Sequence, residues 1–139
     1  MKKYIVWSDK DGTVDCFYIY NTESMYVETF PSKYLMHMVR AKKSPNTIER
    51  AARALSYYML YIDEKEMELT AVYEMDYETQ HKHFVDFLYW LKQGRHKEQF
   101  DKPPHNGTCN AYLQDVFRFY LFMEQCDWRG KSLAVLSDN

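Results

Sequence analysis

The stretch Asn106–Gln125, NGTCNAYLQDVFRFYLFMEQ, decides how the chain is read. At about 100° per residue, Tyr112, Val116, Phe119, Tyr120 and Met123 fall on one helical face. Thr108, Asn110, Gln114 and Arg118 stand around its start and on the other side, and Asn106 suits the capping position. Phe117, Leu121 and Phe122 lie away from the inner stripe, so this helix is expected to pack on more than one side. Its aromatics call for a helical core, and its polar arc is left for another partner.

Working outward, the matching face is supplied by SPNTIERAARALSYYMLYI, residues 44–62. Ser44 is a good N-cap, and Pro45 fits the first helical position, where its missing amide hydrogen costs nothing. Ile48, Ala51, Ala52, Leu55, Tyr58, Met59 and Ile62 share one face, with Asn46, Arg50, Arg53 and Tyr57 almost opposite. Between the two, residues 77–93 predict a helix with Tyr77, Phe84, Phe87, Leu88 and Leu91 inward and Gly94 as its stop. KPPHN, residues 102–106, breaks the chain. Earlier, Pro31-Ser32 opens a shorter helical stretch, SKYLMHMVRAKK. The first thirty residues read as β: KYIVWS and TVDCFYIY flank a loop in which Gly12 supplies positive φ, and MYVETF is a third short run. The expected architecture is therefore mainly α. It is a bundle of four to five helices over residues 31–139, with a small β-hairpin or three-stranded β element over residues 1–30 that reads as an extension of the bundle in preference to an independent binding unit.

At 139 residues, 46% hydrophobic and 17% aromatic, the chain can bury one real core. No apolar run reaches the roughly 18 to 20 residues that cross a bilayer, and MKKYIVWSDKDG is too soon interrupted by charge for a signal peptide. Cys16, Cys109 and Cys126 are an odd, widely spaced set, which points to reduced thiols in a cytoplasmic protein. The net charge of −2 hides a segregation. Residues 37–53 carry five cations and one acid, whereas residues 63–78 carry seven acids and one lysine, as in a solvated loop or a face for a partner. His81 and His83 point about 200° apart on a helix and cannot grip one metal. His96, His105 and Cys109 make a weaker alternative to structural roles, so no metal and no cofactor is expected.

Two segments match a family pattern. SPNTIERAARALSYYMLYI resembles the first conserved helix of the tyrosine recombinases, the phage-type integrases, and TCNAYLQDVFRFYLFM resembles their later one. The later helix in that family tends to show Thr-x-Asn, then Leu, then Arg-x-Phe-Tyr, here Thr108, Asn110, Leu113, Arg118, Phe119 and Tyr120. DYETQHKHFVDFLYWL resembles the helix between them. The likeness spans residues 31–124 and concerns the core-binding domain, a SAM-like bundle that clamps double-stranded DNA at the crossover site. It implies a role for the polar faces. Thr47 and Thr108, near helix N-termini, would meet phosphates. Arg50, Arg53 and Arg118 would neutralise phosphates or read guanine, and Asn110 and Gln114 have amides suited to adenine or phosphate. Asn46 and Tyr57 share the outer arc with Arg50 and Arg53. The plain alternative for each of these residues is an exposed polar side chain or a cap.

The resemblance also says where chemistry would reside. In that family a second domain of about 150 to 200 residues carries the attacking tyrosine and its arginines and histidines. This chain ends soon after Gly130, about where the linker to it would begin, so no catalysis is expected here, and further protomers would join on DNA through the full-length parent. HMVR, residues 37–40, spells the family's catalytic His-x-x-Arg but precedes the core-binding helices. The competing reading is a protein-interaction bundle that docks its partner through exposed Tyr57, Tyr61, Tyr89 and Trp90.

Overall fold

Two strands rich in β-branched and aromatic residues open the chain. β1 (Tyr4–Asp11) and β2 (Val14–Asn21) pair antiparallel, Tyr4 opposite Asn21 and Asp11 opposite Val14. Gly12 turns the hairpin at φ 67°, a conformation that costs glycine nothing. β3 (Tyr26–Val27) adds two residues to the far side of β2, giving the order β1-β2-β3. The third strand is thus much shorter than the run MYVETF. Met25 at φ 66° turns the chain into it, and Glu28 leaves it by donating its amide to the Ile19 carbonyl at 2.7 Å.

A computed structural model describes residues 2–97, 105–126 and 130–136. It contains four α-helices after the sheet: α1 (Thr29–Arg40), α2 (Pro45–Glu64), α3 (Tyr77–Lys92) and α4 (Asn106–Gln125). Short 3-10 helices lie at Leu69–Glu74 and Ala134–Leu136. The chain is mainly helical with a small antiparallel sheet, and among the described residues no helix is long and apolar enough to cross a membrane. α1 begins at Thr29, two residues ahead of the expected Pro31, which therefore sits in the first turn, where an amide hydrogen has no helical partner. The break expected at Lys102, Pro103 and Pro104 lies outside the described residues.

α2 is the centre of the molecule. It packs against both long strands and all three other helices, so its apolar surface is wider than one stripe. Ile48, Ala51, Ala52, Leu55, Tyr58, Met59 and Ile62 are all buried, in keeping with their spacing, and Ala54, Ser56 and Tyr61 are buried as well. The sheet shares this core through Tyr4, Phe17 and Ile19. α1 is tied to β2 by Ser32, whose hydroxyl accepts the Ile19 amide at 3.2 Å. On α3, Phe84, Phe87 and Leu91 are buried and Leu88 is half-buried, but Tyr77 is 57% exposed, because it occupies the first helical position where the core has already ended. The acidic stretch is also more ordered than a solvated loop. Its middle forms the first 3-10 helix, which buries Val72 and Tyr73 while the carboxylates face outward.

The helix ends are held by local chemistry. Ser44 and Asp76 accept the amides of Thr47 and Thr79 at the starts of α2 and α3. α4 is capped one residue earlier than expected: His105 Nδ1 accepts the Gly107 amide at 3.1 Å, in place of Asn106. α3 stops at Gly94, φ 74°, with Arg95 donating to the Trp90 carbonyl and Gly94 to that of Leu91. α1 stops in the same way without a glycine. Lys42 takes φ 59°, and Lys43 donates back to the Met38 carbonyl. A left-handed lysine costs about 1 kcal/mol.

Inside, polar groups are joined in a chain. Tyr58 is wholly buried, its hydroxyl 2.6 Å from that of Tyr120 and 2.9 Å from His83 Nε2. The Tyr120 hydroxyl donates to the Leu69 carbonyl at 2.8 Å, so its oxygen must accept from Tyr58. Tyr58 then has no hydrogen left for His83, and Nε2 of that ring carries the hydrogen and donates. Burial holds His83 neutral, its pKa lowered from 6.5 to about 4.

Candidate functional site

α1, α2 and α4 meet around one carboxylate. Asp115 lies on the apolar side of α4, one turn from Tyr112 and Phe119, and is 2% exposed. A charge in that position requires partners. Arg50 of α2 donates from Nε to Oδ2 at 2.9 Å and from Nη2 to Oδ1 at 3.1 Å, the bidentate pairing of guanidinium with carboxylate. Arg118, one turn further along α4, donates from Nη1 to Oδ1 at 3.2 Å. The carboxylate in turn raises the Arg50 pKa above its ordinary value through these hydrogen bonds.

Above this node is a cleft of about 360 Å³ whose lining includes Tyr34, His37, Lys43, Thr47, Arg50 and Arg118. The left-handed turn at Lys42 delivers Lys43 to its edge. Tyr34 forms an apolar wall: it packs edge-on to Phe119 at 5.8 Å and tilted to Phe122 at 5.3 Å, and its burial pushes its hydroxyl pKa upward. A second cleft, lined by Lys33, Met36, His37, Arg40 and Phe122, adjoins the first through His37. Together the two carry five cations, Lys33, Arg40, Lys43, Arg50 and Arg118, against the single carboxylate of Asp115, a formal +4 with His37 left out of the count. Lys33, Arg40 and Lys43 form no ion pair among the described residues.

No family model, curated protein or solved structure matches this chain.

Of the residues singled out in the sequence, Thr47, Arg50 and Arg118 come together in the first cleft. Asn110 and Gln114 stand exposed on the same stripe of α4 as Arg118, at intervals of one helical turn. Asn46 is exposed at the start of α2 and Thr108 at the start of α4, while the Thr47 hydroxyl lies 2.7 Å from that of Ser44. Arg53 turns along the seam between α2 and α4, where it pairs with Glu49 and lies beside the Tyr112 hydroxyl. Tyr57 is half-buried, its ring 4.6 Å from His96 and 5.4 Å from Tyr112, with Lys2 Nζ 5.3 Å from its centre.

The fold adds residues that the sequence reading leaves out. Asp115 has a legible signal, because an acid between Tyr112 and Phe119 on an apolar face predicts a buried ion pair. His37 reads in sequence only as part of a catalytic spelling, Arg40 as that and as one cation of the basic stretch 37–53, and Lys33 carries no signal of its own. In the fold these three line the basic surface.

The aromatic docking face does not form. Tyr61 and Trp90 are 2% and 3% exposed, because α2 is covered on nearly all sides and Trp90 Nε1 is drawn down onto Glu64 Oε2 at 2.9 Å. Only Tyr89 stands well exposed among the four residues of that face. The histidines likewise divide. His83 belongs to the tyrosine chain, and His96 packs against Tyr57 and Trp90 with its Nδ1 unpartnered among the described residues. Burial lowers the His96 pKa to about 4. Among the described residues no three metal-binding side chains converge.

Proposed function

We propose that this chain is a DNA-binding module, the core-binding part of a tyrosine-type site-specific recombinase, folded as a SAM-like bundle and working in the cytoplasm. The observation that carries the reading is the basic surface of α1, α2 and α4, whose two adjoining clefts carry five cations and one buried carboxylate on a chain whose net charge is −2. A duplex backbone offers evenly spaced negative charge, and such a surface meets it through phosphates before any base is read. Asn110 and Gln114, beside Arg118, extend the surface with amides suited to base edges or phosphate. The order of the helices and the spelling of α2 and α4, which resemble those of the recombinases, support this reading. On this reading strand transfer belongs to a further domain, and other protomers of the recombinase would join this one on DNA.

The test is a fluorescence-anisotropy titration of a short labelled duplex over a series of salt concentrations. The logarithm of affinity should fall linearly with the logarithm of salt. Replacing Lys33, Arg40 and Lys43 together by Gln should reduce that slope by about 2 to 3, close to one for each phosphate that is no longer neutralised. Binding that ignores salt, or that is undetectable at low ionic strength, rejects the proposal.

A further inference from the structure

We infer that the cleft between α1, α2 and α4 is a built seat for a single phosphate group, and that Asp115 is the residue that positions it. The inference deepens the DNA-binding reading, which supplies the phosphate, by assigning one discrete anchoring point within a broad basic surface.

Two guanidiniums repel each other, and in solution the long side chains of Arg50 and Arg118 would splay apart. Here both reach one carboxylate oxygen, Asp115 Oδ1, at 3.1 and 3.2 Å, and Arg50 is fixed further through Oδ2 at 2.9 Å. Asp115 is almost sealed from water, so this geometry is anchored in the core. Each guanidinium has five N–H donors. The three bonds to Asp115 use two on Arg50 and one on Arg118, which leaves most of their donors free, and 43% and 57% of the two side chains exposed. Lys43 adds an ammonium at the edge and Thr47 a hydroxyl near the start of α2, where the helix also presents partial positive charge. Lys43, Arg50 and Arg118 against Asp115 give the cleft a formal +2, which complements the one or two negative charges of a phosphate.

The position of Asp115 separates this arrangement from a diffuse basic patch. A carboxylate under an anion site weakens attraction if only summed charge matters. It strengthens binding if its task is to hold the donors in place.

The experiment is an NMR titration with inorganic phosphate at constant ionic strength, read at the Arg50 and Arg118 Nε–H signals and the Lys43 and Thr47 amides, beside duplex binding by the same variants. A saturable response confined to these groups is expected. Arg118→Gln and Lys43→Gln, both at exposed positions, should each weaken phosphate by about tenfold, as for removal of one charge-assisted hydrogen bond. Asp115→Asn, checked for folding by circular dichroism, should also bind phosphate more weakly although it removes a negative charge. Equal or tighter binding by folded Asp115→Asn overturns its positioning role. Gradual, unsaturated shifts over all cations overturn the seat. Duplex binding that survives Arg118→Gln and Lys43→Gln undiminished removes the seat and leaves the DNA-binding reading standing. A seat that takes inorganic phosphate in a chain that binds no duplex removes the DNA-binding reading and assigns the cleft to a free phosphate ligand.

Discussion

Arg50 grips Asp115 with two hydrogen bonds across 65 positions of sequence, and this pair fastens α2 to α4 at the edge of the basic cleft. Arg50 therefore has a structural task as well as a charge to offer. Arg50→Ala leaves the buried carboxylate with Arg118 alone and should destabilise the fold by about 1–3 kcal/mol. Arg53→Ala removes an exposed pair with Glu49 and the guanidinium beside the Tyr112 hydroxyl, and should change stability by less than about 1 kcal/mol. Urea denaturation of the two single variants checks the contrast. Equal losses would show that the Asp115 pair has no special weight.

The tyrosine chain makes a second claim. Tyr120→Phe removes the hydroxyl that joins Tyr58 to the Leu69 carbonyl, so the buried Tyr58 hydroxyl loses its acceptor and the half-buried carbonyl its donor. The cost should be about 1–3 kcal/mol, measured by chemical denaturation. A change of a few tenths would mean that the hydroxyls are satisfied some other way.

Acid should weaken the fold in a defined window. His83 and His96 are held near pKa 4, below the ordinary 6.5, because burial disfavours their charged forms. The unfolded chain then takes up protons that the folded chain refuses. Their contribution is complete above pH 6.5, declines as pH falls toward 4, and levels off below that. Glu124, whose pKa burial raises, acts in the opposite sense. The imidazole signals of His83 and His96 should show no titration from neutrality down to about pH 5, and urea midpoints should decline over the same range. Titration of either ring near 6.5 contradicts the prediction.

Ser32 joins the sheet to the helices. Ser32→Ala leaves the buried Ile19 amide without its acceptor and should cost about 1–3 kcal/mol. Amide exchange should report the effect locally, with Ile19 losing protection before the centre of α2 does. Unchanged exchange at Ile19 would deny the link.

Lys42 supplies a test of opposite sign. Its left-handed φ of 59° strains a side-chain-bearing residue, so Lys42→Gly should raise stability by up to about 1 kcal/mol in thermal or urea unfolding. A clear decrease would mean that the lysine side chain makes an interaction worth more than the strain.

Much of the fold is legible in the chain because short-range rules decide it. Apolar spacing marks seven buried positions of α2, Ser44-Pro45 marks its start, and Gly12 and Gly94 mark two turns. Local reading fails where an element meets several neighbours. α2 buries Ala54, Ser56 and Tyr61 beyond its expected stripe because strands and helices surround it. Trp90 and Tyr61 read as surface in the sequence because periodicity reports one face and not how many neighbours cover a helix. In the candidate site, residue type and position single out Thr47, Arg50 and Arg118. They mark Asp115 as an acid on an apolar face but do not reveal that the two arginines share it, or the contribution of α1.

The sequence by itself determined the sheet, the helices and which residues are charged, because hydrogen bonding along the backbone and the period of apolar side chains are local properties. Only the tertiary structure decided that Arg50 and Arg118 share Asp115, that His37 lies between two basic clefts, and that Tyr58 lies between His83 and Tyr120. These are meetings of side chains from different helices. They depend on how the helices cross, which is set by packing summed over the whole core and not by any single stretch of chain.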